Sequence, residues 1–215
     1  MIGKEFRKVY IIESPSPQDI LDGRREGLAL SEILTLAAIK NSYYQVSDFD
    51  TLLLAFHRII LDINQKDNRL GVVDLHFSMH GNSQGLGLSS GQLIEWQALA
   101  PILNDFNNKV GYMEIEMAPG KKYGSANLNF SVCHGFNATL MKEYSEHSPF
   151  TTILGPIHEV NWSDSLMAFA VYYHNTIHKG HGWRYSAKMM NATVGLNNVF
   201  KLEIAEGLEP AASIQ

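Results

Sequence analysis

The stretch Leu70-Gly71-Val72-Val73-Asp74-Leu75-His76-Phe77-Ser78-Met79 is nearly continuously apolar and runs straight into His80-Gly81-Asn82. A strand with one wet face alternates apolar and polar residues. A run of this kind belongs in the middle of a parallel sheet, covered on both faces. Such a strand needs helices above and below it, delivered by crossover connections. A further strand, Leu128-Asn129-Phe130-Ser131-Val132, runs into Cys133-His134-Gly135 and so ends in the same manner.

The rest of the chain supplies the covering elements. Val9-Tyr10-Ile11-Ile12 reads as a buried strand, closed by the turn chemistry of Glu13-Ser14-Pro15-Ser16-Pro17. Gln18 to Ile39 carries apolar residues at helical spacing, with Gly23 and Gly27 as weak points. Tyr43-Tyr44-Gln45-Val46 is a short strand, and Ser47-Asp48 offers a cap to a strongly helical run from Phe49 to Ile63. Gly85, Gly87 and Gly91, with leucines between, suggest tight turns or a small hairpin before a helix from Leu93 to Phe106. Tyr112 to Ser125 alternates around Pro119-Gly120 as an inserted hairpin. Helices follow at Asn137–Tyr144, Ser163–His178 and Tyr185–Thr193, with strands at Thr151–Leu154 and Val199–Ile204. Strands alternating with helices give an α/β fold: a mostly parallel sheet of about five to six strands with helices on both faces. Without a linker or repeat, one domain over residues 1–206 with a flexible tail over 207–215 is the economical division.

Open parallel sheets collect functional groups at the carboxyl edge of their strands. With both long strands central and parallel, His80 and Cys133 share that edge. They lie 53 residues apart (133 − 80), the length of one crossover carrying a helix and an inserted hairpin. A thiol is mostly protonated at neutral pH, and a nearby imidazole can take its proton and expose the thiolate nucleophile. Gly81 lets the backbone turn sharply and present an N–H. That group, with the N–H of Cys133, forms an oxyanion hole, and a helix starting after Cys133 adds partial positive charge. A lone strand-end cysteine is usually a small buried hydrophobe; the paired strand endings are what favour catalysis here.

A His-Gly ending one strand and a Cys-x-Gly ending the next resemble the caspase-like cysteine peptidases, which include caspases, metacaspases, gingipains, separases and the CHAT-domain proteases. The resemblance follows strand order from about Val9 to Ile204, and its specific part is Leu75–Asn82 and Asn129–Phe136. A weaker match is Ile153-Leu154-Gly155-Pro156 followed by Asn161-Trp162-Ser163-Asp164-Ser165. In the gingipain-, separase- and CHAT-like members, a strand after the cysteine leads to a Trp/Asp-containing loop and helix near the pocket for the residue at the cleavage site. The resemblance implies a three-layer caspase-like fold and a cysteine endopeptidase acting through an acyl-enzyme. His80 is then the general base or acid, Cys133 the nucleophile, and the Gly81 and Cys133 N–H groups the oxyanion hole. Trp162 and Asp164 would belong to the substrate pocket, where an acid favours Lys or Arg. Ser131-Val132-Cys133-His134-Gly135 differs from the Gln-Ala-Cys-Arg-Gly pattern of caspases proper, so aspartate specificity is not implied. The nearest comparison within the group is with stand-alone bacterial proteases of regulatory or defence systems.

Two further residues sit where a cleft would form: His134, directly after the nucleophile, and Glu13, just past the first strand. Each has a plainer reading, as a satisfied loop histidine and as a structural carboxylate. Ser163 and Asp164 read equally well as caps of the following helix. Asp74 and His76 read as hydrogen-bonded core groups. His174, His178 and His181 have zinc-like spacing, yet Asn175 stands where a zinc peptidase carries its catalytic Glu, and His and Lys suit a helix C-terminus. Gly81 to Gly87 lacks the Gly-Lys-Ser/Thr ending of a phosphate loop.

Seventeen Lys and Arg against 22 Asp and Glu give a net charge of −5, and the basic residues form no stripe. Nucleic acid is therefore not an expected partner. Apolar stretches are broken by charge too often to cross a bilayer. A single cysteine rules out an internal disulfide and suits a reducing compartment. The expectation is a soluble cytoplasmic thiol protease without a cofactor, acting on a protein or peptide substrate, with room for a regulatory protein partner. The competing class is a caspase-like interaction module that has lost its chemistry.

Overall fold

The computed structural model describes residues 7–65, 73–114, 120–195 and 198–206. The expected tail at 207–215 and the start of the long strand at Leu70-Gly71-Val72 lie outside the described residues. In chain order the elements are β1 (Val9–Ser14), α1 (Pro17–Leu21), α2 (Glu26–Leu36), β2 (Asn41–Gln45), α3 (Phe49–Asn64), β3 (Val73–Gly81), β4 (Gly85–Gly87), β5 (Leu93–Glu95) and α4 (Trp96–Val110). There follow β6 (Met113–Glu114), β7 (Lys122–Tyr123), β8 (Ala126–Ser131), a 3₁₀ helix (Gly135–Tyr144), β9 (Thr152–Pro156), α5 (Trp162–Tyr173), a π-helical turn (His174–His178), α6 (Trp183–Thr193) and β10 (Phe200–Ile204).

The chain is an α/β protein with a mostly parallel mixed sheet in the order β10-β9-β8-β3-β1-β2. β2, β1, β3, β8 and β9 run parallel, and β10 closes the edge antiparallel to β9. The hairpin β4–β5 continues from the end of β3, bringing the sheet to eight strands, two more than the sequence suggests. The glycine-rich stretch read as tight turns or a small hairpin is this hairpin, and it joins the sheet instead of standing apart from it. The inserted hairpin is the separate antiparallel pair β6–β7. Among the described residues no helix is long and apolar enough to cross a membrane.

Two apolar layers sandwich the sheet. Leu75, Phe77 and Met79 of β3 and Leu128 and Phe130 of β8 pack against α3 and α4 on one face. On the other face, Val9 and Ile11 of β1 pack against Leu30 and Leu34 of α2 and Phe169 and Tyr173 of α5. On that second face the centre of the sheet is polar although it is fully covered. Asp74, His76 and Ser78 of β3 and Asn127, Asn129 and Ser131 of β8 are all buried. Burial of such groups requires partners. Asp74 accepts from Arg7, Asn127 and Asn129, and His76 Nδ1 meets the Tyr173 hydroxyl at 3.1 Å.

Several elements differ from the sequence reading. The helix expected over Gln18–Ile39 is two helices: Gly23, at φ +70°, takes the left-handed conformation that ends α1. α1 itself begins with a capping box, Ser16 and Asp19 exchanging hydrogen bonds behind Pro17. The helix after Cys133 is 3₁₀ rather than α. α5 starts at Trp162 with Asn161 in the cap position, so Asp164 lies within the first turn instead of capping it.

Candidate active site

β3 and β8 are neighbours, and their pairing fixes what stands opposite what. Val73 pairs with Ala126 and Ser78 with Ser131, a constant offset of 53 residues (126 − 73 and 131 − 78). The same offset separates His80 from Cys133, two residues beyond the last pair. His80 lies within β3 on the same face as Ser78, because side chains two apart in a strand share a face, whereas Cys133 sits in the turn just past β8. Adjacent strands lie about 4.8 Å apart. His80 and Cys133 line one cavity of about 220 Å³ at the carboxyl edge, with Ser131, Asn161, Trp162 and Ser165 among its walls. The Cys133 thiol is half-buried and points its hydrogen at the Val160 carbonyl, 3.8 Å away.

The imidazole is held from two sides. Its Nε2 lies 2.5 Å from Asp19 Oδ2, and the Trp162 indole packs edge-on against the ring with centroids 5.2 Å apart. Asp19 is buried while His80 is half exposed. The same carboxylate oxygen accepts from the Ser16 hydroxyl at 2.5 Å and from the Ser16 N–H at 3.2 Å, and Arg24 stands 3.5 Å from the other oxygen. Burial pushes the Asp19 carboxyl up, but the Ser16 hydroxyl and the His80 ring outweigh it and hold it below the ordinary aspartate value. Asp19 is a partner of His80 that sequence reading missed. A capping box in S-x-x-D form is the one local signal, and it points to a helix start rather than to a histidine 61 residues away.

Gly81 is a glycine because two strands meet there. A Cβ at this position would come within 2.2 Å of Val132 Cγ1 and 2.9 Å of the Gly85 carbonyl oxygen. Gly81→Ala should therefore force β3, β4 and the Cys133 loop apart, lowering stability by about 1–3 kcal/mol in urea unfolding. An unchanged midpoint would show that the close approach is not required.

The other expected residues divide. Trp162 is in the cavity wall. Asp164 is not among the cavity-lining residues and faces Asn161 Nδ2 at 3.5 Å. His134 takes a left-handed backbone, φ 59°, ahead of the 3₁₀ helix; its N–H donates to the His158 carbonyl and its ring meets the His158 ring at 6.5 Å. Glu13 is at the carboxyl edge but is buried, accepting from the Gly27 N–H at 2.8 Å and the Tyr43 hydroxyl at 2.5 Å. Burial pushes the Glu13 carboxyl up, those two donors offset part of this, and the neighbouring Glu26 adds to it. His174 and His178 stack at 5.0 Å. Among the described residues no group of three or more His, Cys, Asp or Glu could hold a metal ion. Two more open clefts, of about 510 and 440 Å³, lie along α6–β10 and beside β7, and neither contains His80 or Cys133.

Scanned against protein-family models and against curated proteins, the chain matches none.

Proposed function

We propose that the chain is a cysteine endopeptidase of the caspase-like kind, cleaving a protein or peptide substrate through an acyl-enzyme on Cys133. The observation that carries this reading is a shared cavity: β3 and β8 pair side by side through Ser78 and Ser131, and His80 and Cys133, two residues further along each, both line the cavity at that edge. With Nε2 engaged by Asp19, Nδ1 is the nitrogen left to exchange a proton with the thiol. His80 takes the thiol proton, and the Cys133 sulfur attacks the peptide carbonyl carbon, forming a C–S bond. The negative charge that develops on oxygen is met by the N–H groups of Gly81 and Cys133. His80 then gives its proton to the departing amine as the C–N bond breaks. Water, deprotonated by the same imidazole, hydrolyses the thioester. Asp19 holds the ring in one tautomer and stabilises the imidazolium, as the acid of a hydrolase triad does. The parallel order of β2, β1, β3, β8 and β9 agrees with the caspase-like three-layer arrangement. No cofactor enters these steps, and the free thiol fits a cytoplasmic setting.

The test is a paired measurement on wild type and Cys133→Ala. Wild type should take up iodoacetamide rapidly at neutral pH and cleave members of a peptide library. The variant should lose both while keeping its circular dichroism and unfolding midpoint. Cleavage that persists in the variant overturns the reading. Sluggish labelling with no cleavage by wild type favours the interaction module instead.

A further inference from the structure

β10 is the last strand on one side of the sheet, and the chemistry above leaves its outer edge unused. Successive residues of an antiparallel pair alternate between bonding across the ladder and pointing away from it. Val199 accepts from the Ile157 N–H, and the Ala205 N–H donates to the Thr151 carbonyl. Lys201 and Glu203, between them, therefore also bond toward β9, in register with Gly155 and Ile153. Phe200, Leu202 and Ile204 aim their N–H and C=O groups outward. Such an edge is a template for another extended chain. At Phe200 the template is already in use. The Asn191 carboxamide, from the last turn of α6, accepts from the Phe200 N–H at 3.0 Å and donates to the Phe200 carbonyl at 2.8 Å, as a residue of a pairing strand would. Among the described residues Leu202 and Ile204 have no such partner.

The charge around this edge says what kind of chain it suits. The cleft of about 510 Å³ between α6 and β10 takes in Leu202. Arg184 and Lys188 stand over it one turn apart on α6, Lys201 stands on β10, and no carboxylate is among its lining residues. All three cations are exposed. The one acid of β10, Glu203, is held by Lys142 in the other cleft, beside β7. In a chain of net charge −5, this edge is thus locally basic. A neutral strand would satisfy the edge and leave the charge unmatched. A second copy of β10 would bring its own Lys201 and Lys188 toward these cations, and like charges across a strand pair are unfavourable. A segment carrying Asp or Glu meets both demands: main-chain hydrogen bonds at Leu202 and Ile204, and carboxylates for the cations.

We propose that the outer edge of β10 binds an extended acidic segment of a partner protein as an added strand, seated in the cleft beside α6 with its carboxylates toward Arg184, Lys188 and Lys201. The cleft contains neither His80 nor Cys133, so the proposal stands apart from the peptidase reading and does not need it.

The experiment measures fluorescence anisotropy of a labelled peptide alternating glutamate and valine, titrated with the full chain. It should bind at least about tenfold tighter than the same peptide with glutamine for glutamate, since several ion pairs of modest worth add up to that factor. Two further peptides keep the charge and carry N-methyl groups, one on every valine and one on every glutamate. Only one of these sets turns its N–H groups toward β10, so one methylated peptide should lose at least about tenfold and the other should bind like the parent. Lys188→Glu combined with Lys201→Glu should weaken the acidic peptide at least about tenfold with the unfolding midpoint held. Leu202→Pro removes an outward donor while sparing the bonds to β9, and should weaken binding similarly. Equal affinity for the acidic and neutral peptides in wild type overturns the proposal even if a variant fails to fold. So does equal affinity for the two methylated forms, which would mean charge attraction without strand addition. A dimer in sedimentation that Leu202→Pro dissolves overturns it too, by making a second copy the occupant.

Discussion

Replacing His80 with Ala is expected to lower kcat/KM by about 10³-fold, within the range that positioned general acid–base catalysis supplies. Half of the His80 side chain is in solvent, so the unfolding midpoint should move little. The companion change, Asp19→Asn, should cost about 10- to 100-fold, because the ring keeps a neighbour but loses the charge that favours its imidazolium. Single-turnover cleavage measured across pH separates this from a structural effect: Asp19→Asn should shift the pH profile, not merely scale it. The sign of the stability effect follows from the direction of the Asp19 shift. Its carboxyl is held below the ordinary aspartate value of 3.8. The contact with His80 therefore contributes stability that is complete above that value and is lost as pH falls through the lower folded value. Full activity in His80→Ala would remove the imidazole from the mechanism.

The largest stability effect is expected at the opposite end of β3. Asp74 is fully buried and takes a two-pronged contact from Arg7, at 2.6 and 3.0 Å, together with the side-chain amides of Asn127 and Asn129. Asp74→Ala would strand the Arg7 guanidinium in a layer that also holds Tyr172 and Tyr173. Removing one partner of such a pair costs about 3–5 kcal/mol. At about 2–4 °C per kcal/mol for a chain of this size, Tm should fall by about 6–20 °C in a calorimetric scan. Replacing both charges together, Arg7→Met with Asp74→Leu, should recover most of the loss, since matched apolar groups leave no charge unpaired. A single variant with wild-type Tm would mean that water already reaches the pair.

β3, ending in His80-Gly81, and β8, which stops at Ser131 just before Val132-Cys133-His134-Gly135, were legible because apolar runs and the glycines that follow them are local patterns. α3 was equally plain, with Asp48 and Thr51 forming its capping box. Asp19 was not, since its contact with His80 depends on where β1 delivers the following turn, and nothing within 60 residues records that. The start of α2 was hidden differently. The run reads as one helix from Gln18 onward, and only the break at Gly23 sets a second helix whose first turn rests on β1 and β3. Ser163 and Asp164 offered good capping chemistry, yet α5 begins one residue before Ser163, at Trp162, which packs against His80. Tertiary contact decided that boundary over local preference.

The division of β3 and β8 into one greasy and one hydrogen-bonding side also has a bearing on errors in folding. Sliding either strand by a single residue would drive Asp74, His76 and Ser78, or their counterparts, into the hydrocarbon layer beneath α3 and α4. It would also lift Met79 or Val132 to the rim in place of an imidazole or a sulfur. Misaligned sheets are thus penalised by the same pattern that brings His80 and Cys133 to one edge, so on the proposed reading a chain that settles into its most stable alignment has also assembled its site.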